Sequence, residues 1–489
     1  MEYYLGIDIG TSAVKLIAAD EDGTVVKRCE RSYEYSQPRP GWKEIWPKVW
    51  VEAVEDGLKE LLSSLDRSRV KAMGFTGQMH TTVFLDKEGA CIRPAIMWND
   101  MRTKDRIPSV KMLLTEEDTR SIARIFSTGS PAANLLWLKE EESESFQRLD
   151  KFLIGPDYLV YYFSGKYSTD YCEASTSSLY DAEKRCWSKT MSNLLSLPGH
   201  IYPPVRGSQE VVGCLREELG KRFGLKAEVK IIAGTGDNPA AAVALGALKS
   251  RIPVLSIGTS GVLVLCRDRA DEQAKGKQIL FSLDGKEMNY LIQGVVQSAG
   301  GSYHWYVKNI LGMEDFGPLT ESVDLEKTGE KELLFYPHLS GDKTIYGDPA
   351  IRGAFVGLDT DDKREDLAVA VMEGVCFAIK QLVREMRLSQ EELGQLKVTG
   401  GGAYSRIWMQ ILADVLNVEI GQLDEGDGAS YGAALMAKAA LYPAPQAHGN
   451  EQPVKLRSCF APRPRHVGLY EMKYRKYLKI YDALKLIYQ

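Results

Sequence analysis

Two apolar, β-prone runs open the chain. YYLGIDI at 3–9 and AVKLIAA at 13–19 flank the polar break Gly10-Thr11-Ser12. The pattern predicts two antiparallel strands joined by a tight turn. Asp22-Gly23 is a second hairpin signal and leads into TVVKR. Over 47–63 the period changes: Val51, Val54, Leu58, Leu61 and Leu62 share one face of a helix. VKAMGF at 70–75 then reads as a buried strand. Strands alternating with helices imply an α/β domain.

The same pattern restarts in the second half. An Ala-rich helical stretch ends near 246–252, and LSIGTSGVLV at 255–264 repeats the Ile-Gly-Thr-Ser turn between two β-prone runs. A helix is predicted over about 365–387, with Leu367, Val371, Gly374 and Ala378 at helical spacing. A strand at 396–399 runs into GGGAYSR and a helix at 405–416. RDRADEQAKGK at 267–277 reads as a solvated loop. So long a period is no solenoid. It implies duplication: two similar domains, divided as 1–247 and 248–489, with a cleft between them.

Composition narrows the function classes. The 489 residues allow two domains or more with ample core. A net charge of −5 leaves no basic footprint for nucleic acid. No apolar run reaches the ~18 residues of a membrane span, and no signal peptide precedes the first strand. The eight cysteines are scattered with no Cys-x-x-Cys pair, which argues against zinc and fits a reducing cytoplasm.

A Gly-Thr-Ser turn offers backbone N–H groups and hydroxyls without bulk, and can hold phosphate oxygens. One such turn is also an ordinary hairpin. Two at matching positions, Gly10-Thr11-Ser12 and Gly258-Thr259-Ser260, point to a triphosphate gripped from both domains. Neither a P-loop nor a G-x-G-x-x-G is present; GTGDNP at 234–239 fails the second pattern. Asp8 ends the first strand against Gly10. It is either a solvent-facing strand end or an oxygen ligand for Mg²⁺. Asp237 follows two glycines and precedes an Ala-rich helix, so it is either an N-cap or a general base.

These motifs, in this order, resemble the FGGY carbohydrate kinases of the actin-like ATPase superfamily. The resemblance runs from Tyr4 to about Ala440 and is strongest to the xylulokinase branch. GIDIGTSAVK matches the first phosphate motif and SIGTSGV the second; VTGGGAYSRIWMQILADVLN at 398–417 matches the adenosine motif. The resemblance implies two ribonuclease-H-like domains flanking a deep catalytic cleft. It implies ATP and Mg²⁺, a cytoplasmic enzyme and a homodimer. Asp237 is then the base and Asp8 positions Mg²⁺–ATP, with Asp237 close to the metal. Lys15 is either a solvated lysine or a phosphate contact. Gly401, Gly402 and Ala403 would lie near the adenosine.

Sugar choice would rest on GFTGQMHTTVFLD at 74–86, where Gln78, Met79 and His80 look like the xylulokinase motif. Trp98 and Asn99, with Asp100 and Arg102 as a second tier, and Asn238 beside the base would complete the acceptor site. Trp98 could equally be a core residue. The chain departs from the family pattern at Asn134, at Gly155-Pro156, near the end of 169–177 and at Asp342-Lys343. The expected reaction is phosphorylation of a ketose, D-xylulose first, at its terminal hydroxyl. Rivals are another FGGY kinase for ribulose, fuculose, gluconate or glycerol, or a sugar-binding regulator that keeps the fold without transfer.

Overall fold

The computed structural model describes residues 1–122, 125–250, 252–423, 428–442 and 456–488. The chain forms two compact units. The first gathers Met1–Leu245, Ile279–Tyr290 and 427–452; the second holds the remainder. A cut at 247/248 into contiguous halves therefore leaves out two returns of the chain to the first unit. One return is a hairpin segment: the Ser208 N–H donates to the Ser282 carbonyl at 2.9 Å. The other is the helix Gly428–Ala439, which packs on Tyr3–Ile9, on Val70–Gly77 and on the helix Asp237–Ala244.

The first unit's sheet is built on a five-strand frame. Tyr3–Ile9 pairs antiparallel with Ala13–Asp20, which pairs antiparallel with Val25–Ser32. On its other side Tyr3–Ile9 pairs parallel with Val70–Gly77, and that strand pairs parallel with Lys230–Ile232. Val211–Cys214 closes the edge. Inner strands such as Tyr3–Ile9 are nearly continuous apolar runs because both faces are covered. The edge strand Val25–Ser32 alternates half-buried and exposed residues along its length. Pro47–Leu61 forms the expected helix, followed by a tighter turn at Leu62–Ser64, and buries Val51, Val54, Leu58 and Leu61 on one face.

The second unit repeats the frame. Val254–Ile257 pairs antiparallel with Gly261–Arg267 and parallel with Gln395–Thr399; the latter pairs parallel with Glu419–Leu423. Asn289–Val296 flanks Gly261–Arg267. The internal duplication read from two short turns is thus a duplication of sheet topology. The 22-residue helix Arg364–Glu385 covers this sheet and packs on Leu334–Tyr336. Gly374 admits the Phe335 carbonyl, which a Cβ would block. The charged stretch at 267–277 is a loop for most of its length, but Arg267 belongs to a strand and pairs with Glu392 at 2.9 Å.

One buried group in the second unit gives the fold a pH dependence. His338 lies 3.5 Å from Asp342 (Nδ1 to Oδ1), its ring centroid 4.4 Å from that of Tyr336. Burial lowers its pKa from 6.5 to about 4, so the folded chain holds it neutral while the unfolded chain protonates it first. Its stabilising contribution is complete above pH 6.5 and is lost as pH falls towards 4, a term of about 3 kcal/mol. Asp342 is shifted upwards by burial and acts in the opposite sense. Urea unfolding between pH 7 and pH 4 should therefore show a shallower loss of stability in His338→Gln than in the wild type. Parallel curves would refute the assignment.

Candidate active site

The first unit's candidate residues meet at the C-terminal ends of three parallel strands. Asp8 is in register with Thr76, and Thr235 with the same Thr76; Ile9 and Gly236 both oppose Gly77. This row delivers Asp8, Gln78 and Asp237 to one end of the sheet from strands far apart in sequence. Ligands in open α/β sheets bind at such strand ends.

The turn at 10–12 is held by its carbonyls. The Gly10 carbonyl accepts from the Tyr33 hydroxyl at 2.5 Å and from Gln78 Nε2 at 3.1 Å. The Ser12 carbonyl accepts from the Tyr33 N–H at 2.9 Å, and the Gly10 N–H donates to Ala13. Among the described residues the N–H groups of Thr11 and Ser12 have no backbone acceptor. Carbonyls tied back and N–H groups left outward make an anion-binding concavity. Gln78, the expected sugar contact, donates its amide nitrogen to this turn, and its Oε1 is buried without a partner.

Asp8 is one residue short of the strand end. Its Oδ1 is buried with no hydrogen-bond partner. Burial pushes the carboxyl up to about 6, opposed by the charge of Lys15, its cross-strand neighbour. Lys15 itself is exposed. An orphaned carboxylate oxygen beside an anion-binding turn is the donor chemistry a hard divalent cation takes. Among the described residues no group of three or more His, Cys, Asp or Glu side chains could hold a metal ion. Magnesium usually keeps several waters and binds through one or two carboxylates plus substrate phosphates, so one such oxygen suits it.

Asp237 begins the helix Asp237–Ala244, after Gly236. Its Oδ1 accepts from the Asn238 N–H at 2.8 Å. Asn238 Nδ2 reaches the sulfur of Met79 at 3.5 Å, so the base candidate and the Gln78-Met79-His80 turn are joined. His80 holds a left-handed backbone, φ 68°. A side chain rarely takes that conformation without support.

Trp98 is not a core residue. It is 45% exposed, and its indole N–H donates to Thr11 Oγ1 at 3.2 Å. Its backbone N–H donates to Thr81 Oγ1 at 3.2 Å, and Asn99 Oδ1 beside it is buried without a partner. The loop beneath is rigid for an identifiable reason. Arg102 packs on the edge-to-face pair of Trp42 and Trp137, 3.9 and 4.7 Å from their ring centroids. It grips both oxygens of Asp100, at 2.9 and 2.8 Å, and Glu44 at 2.8 Å. A planar guanidinium both stacks and binds a carboxylate in bidentate fashion, which lysine does not.

In the second unit, Gly258-Thr259-Ser260 is braced by different groups. The N–H groups of Ala299, Gly300 and Gly301 donate to the carbonyls of Thr259, Gly258 and Thr259, at 3.0, 2.8 and 2.9 Å. Gly300 is required there because a Cβ would run into the Gly258 carbonyl, whereas at Gly301 a Cβ would press on the Thr259 carbonyl at 3.0 Å. The adenosine-type motif follows the strand Gln395–Thr399. Gly400 takes φ 90°, Gly401–Tyr404 forms a short 3₁₀ turn, and Ser405 caps the helix Arg406–Leu416. Gly401 borders open space, whereas a Cβ at Gly402 would strike Ile257. Ala403 is buried, its N–H bonded to the Gly400 carbonyl.

Three of the departures from the family pattern have structural accounts. Asn134 is fully buried and donates to Thr82 Oγ1 and the Gly129 carbonyl, at 2.9 and 3.1 Å. Gly155-Pro156 starts the helix Gly155–Ser164, where proline needs no N–H partner. Asp342 accepts from the N–H groups of Tyr346 and Gly347 at 2.6 and 3.1 Å, closing the loop that contains Lys343.

Family models decide the kinship. The N-terminal domain of the FGGY family of carbohydrate kinases matches residues 3–244, and its C-terminal domain matches 254–441. The chain belongs to the FGGY family of carbohydrate kinases. It is 33% identical to a xylulose kinase of Staphylococcus epidermidis over 99% of this chain and 97% of that one. It is 30% identical to the xylulose kinase of Bacillus subtilis, over 99% and 98%. A crystal structure described as a xyloylose kinase from Brucella ovis superposes with a TM-score of 0.90 at 30% identity, covering 99% of this chain and 100% of that one. The protein is accordingly a sugar kinase with the actin-like ATPase fold, and ATP is its phosphoryl donor. Among the described residues no cysteine of the kinase is joined in a disulfide. Among the described residues no helix is long and apolar enough to cross a membrane.

Sequence reading missed Tyr33, Thr81 and Glu173. Tyr33 and Thr81 act through backbone and hydroxyl bonds that no motif spells out. Glu173 is fully buried, and its approach to Gly236 depends on tertiary packing.

Proposed function

We propose that the kinase transfers the γ-phosphoryl group of ATP to the terminal hydroxyl of a ketose, converting D-xylulose to D-xylulose 5-phosphate. Asp237 accepts the proton of O5 as that oxygen attacks the γ-phosphorus in line. The new O–P bond forms as the β–γ bridge breaks and ADP leaves. Each Gly-Thr-Ser turn offers N–H groups to phosphate oxygens, and Gly401, which borders open space, leaves room for the adenosine. Met79 supplies an apolar wall, and His80, Asn99, Asn238 and the Trp98 ring face the sugar. Magnesium would be held by Asp8 with Asp237 close by, and when bound neutralises charge on the phosphates. We place the enzyme in the cytoplasm, in keeping with cysteines that form no disulfide among the described residues, and expect a homodimer.

The observation that carries the reading is the join between Asn238 and Met79, which sets the base candidate beside the turn that distinguishes the xylulokinase branch. It is supported by xylulose kinases that align along almost the whole chain. The test is ADP release from Mg·ATP across D-xylulose, L-xylulose, D- and L-ribulose, L-fuculose, glycerol and gluconate. D-xylulose should give the highest kcat/KM, by at least about 10-fold, a difference of roughly 1.4 kcal/mol in transition-state binding. Preference for another sugar would overturn the specificity and leave the mechanism. No turnover with any of them would remove sugar transfer from the reading.

A further inference from the structure

Behind the base candidate lies a carboxyl that the reaction does not use. Glu173 sits in the short helix Tyr171–Thr176, fully buried. Its N–H is capped by Asp170 Oδ1 at 2.9 Å, which fixes the helix start. Asp170 is held in turn by the Ser208 hydroxyl at 2.9 Å. The side chain is therefore anchored at its root.

Its two oxygens point to two different parts of the site. Oε2 accepts from the His80 N–H at 3.4 Å, beside the left-handed backbone of that residue. Oε1 is buried without a hydrogen-bond partner among the described residues. It lies against Gly236: a Cβ there would sit 2.8 Å from Oε1 and 2.5 Å from Met79 Cγ. Gly236 is thus clamped between Met79 and Glu173, and it is the residue that leads directly into Asp237. A buried polar atom with no partner costs roughly 1–3 kcal/mol, which a purely structural position would tend to shed.

We propose that Glu173 is a positioning residue for phosphoryl transfer: one carboxyl sets the Met79–His80 turn and the Gly236–Asp237 step relative to each other. The inference rests on the reading of Asp237 as base and of Met79–His80 as an acceptor contact. Its physical basis is the steep cost of misplacement: an error of about 1 Å at reacting atoms can cost roughly 100-fold in rate. Burial, with the nearby Asp170, Asp157 and Asp237, pushes the Glu173 carboxyl well above the usual range, so its neutral acid resembles a glutamine amide in charge.

The test compares wild type, Glu173→Gln, Glu173→Asp and Glu173→Ala by steady-state kinetics with each substrate varied, alongside thermal unfolding. Glu173→Gln keeps an acceptor oxygen for the His80 N–H and should stay within about 3-fold of wild-type kcat and sugar KM. Glu173→Asp, one methylene shorter, should lower kcat roughly 10- to 100-fold and raise the sugar KM, with the KM for ATP unchanged. Glu173→Ala should do the same or more; if it does not fold, Glu173→Asp decides. Wild-type kinetics in Glu173→Asp would overturn the proposal. So would an equal loss in Glu173→Gln and Glu173→Asp, or a fall in folding stability with no change in the kinetic split. Wild-type protein that turns over no sugar would refute the underlying reading instead, and is distinguishable because it needs no variant.

Discussion

Asp237→Ala is expected to abolish sugar phosphorylation to within background, a loss of at least about 10²- to 10⁴-fold, while ATP still binds. This carboxylate is the proposed base, and it is carried on the first residue of the helix Asp237–Ala244. Asp237→Asn refines the test. Its amide oxygen still accepts from the Asn238 N–H, as Asp237 Oδ1 does at 2.8 Å, so the turn should survive while the base is gone. Stability should therefore stay within about 1 kcal/mol of wild type, and the loss should fall on kcat. The measurements are coupled ADP release and ATP binding by calorimetry. Sugar-dependent turnover near wild type in Asp237→Asn would remove the residue from the base role, leaving it as the first residue of a helix whose N-cap is Gly236.

The second large effect concerns folding. Gly6→Val should destabilise the first unit by more than about 3 kcal/mol, beyond the usual range for overpacking. A Cβ at Gly6 would overlap the backbone carbonyl of Ser430, one at Gly74 the carbonyl of Ala433, and one at Gly432 the carbonyl of Ala240. In each case the obstacle is main chain, which cannot rotate away as a side-chain tip can. The three glycines let the helix Gly428–Ala439 lie directly on the strands Tyr3–Ile9 and Val70–Gly77 and on the helix that starts with Asp237. Loss of this packing should take activity with it. Gly401→Ala is the control: its Cβ would meet open space, so the unfolding midpoint should barely move, within about 0.5 kcal/mol. A chemical-unfolding midpoint for Gly6→Val equal to wild type would refute the packing argument.

Much of the frame was legible because local chemistry and tertiary role agree there. The paired β-prone runs around each Gly-Thr-Ser turn form antiparallel hairpins in both sheets, in the register a tight turn imposes. The helices predicted at 47–63, 365–387 and 405–416 are found at Pro47–Leu61, Arg364–Glu385 and Arg406–Leu416, since their apolar spacing matches the faces they bury. The family follows from the order of motifs along the chain, and the two domain models match that same span.

Other features needed distance in space to be resolved. Trp98 reads equally as core or surface in a string of residues; its bond to Thr11, 87 positions away, settles its place. The bond from the Gln78 amide nitrogen to a carbonyl 68 positions earlier is likewise visible only in space. Glu173 carries no signature, because a buried glutamate is defined by what packs over it.

The sequence by itself determined the α/β class, the duplication, the two Gly-Thr-Ser turns between paired strands and the kinase family, since each is written in local spacing, turn chemistry or motif order. Only the tertiary structure decided which side chains brace those turns, which glycines are obligatory and that the helix Gly428–Ala439 belongs with the first unit. The reason is physical: strand register and close packing bring together residues tens to hundreds of positions apart, and no local pattern encodes who their neighbours are.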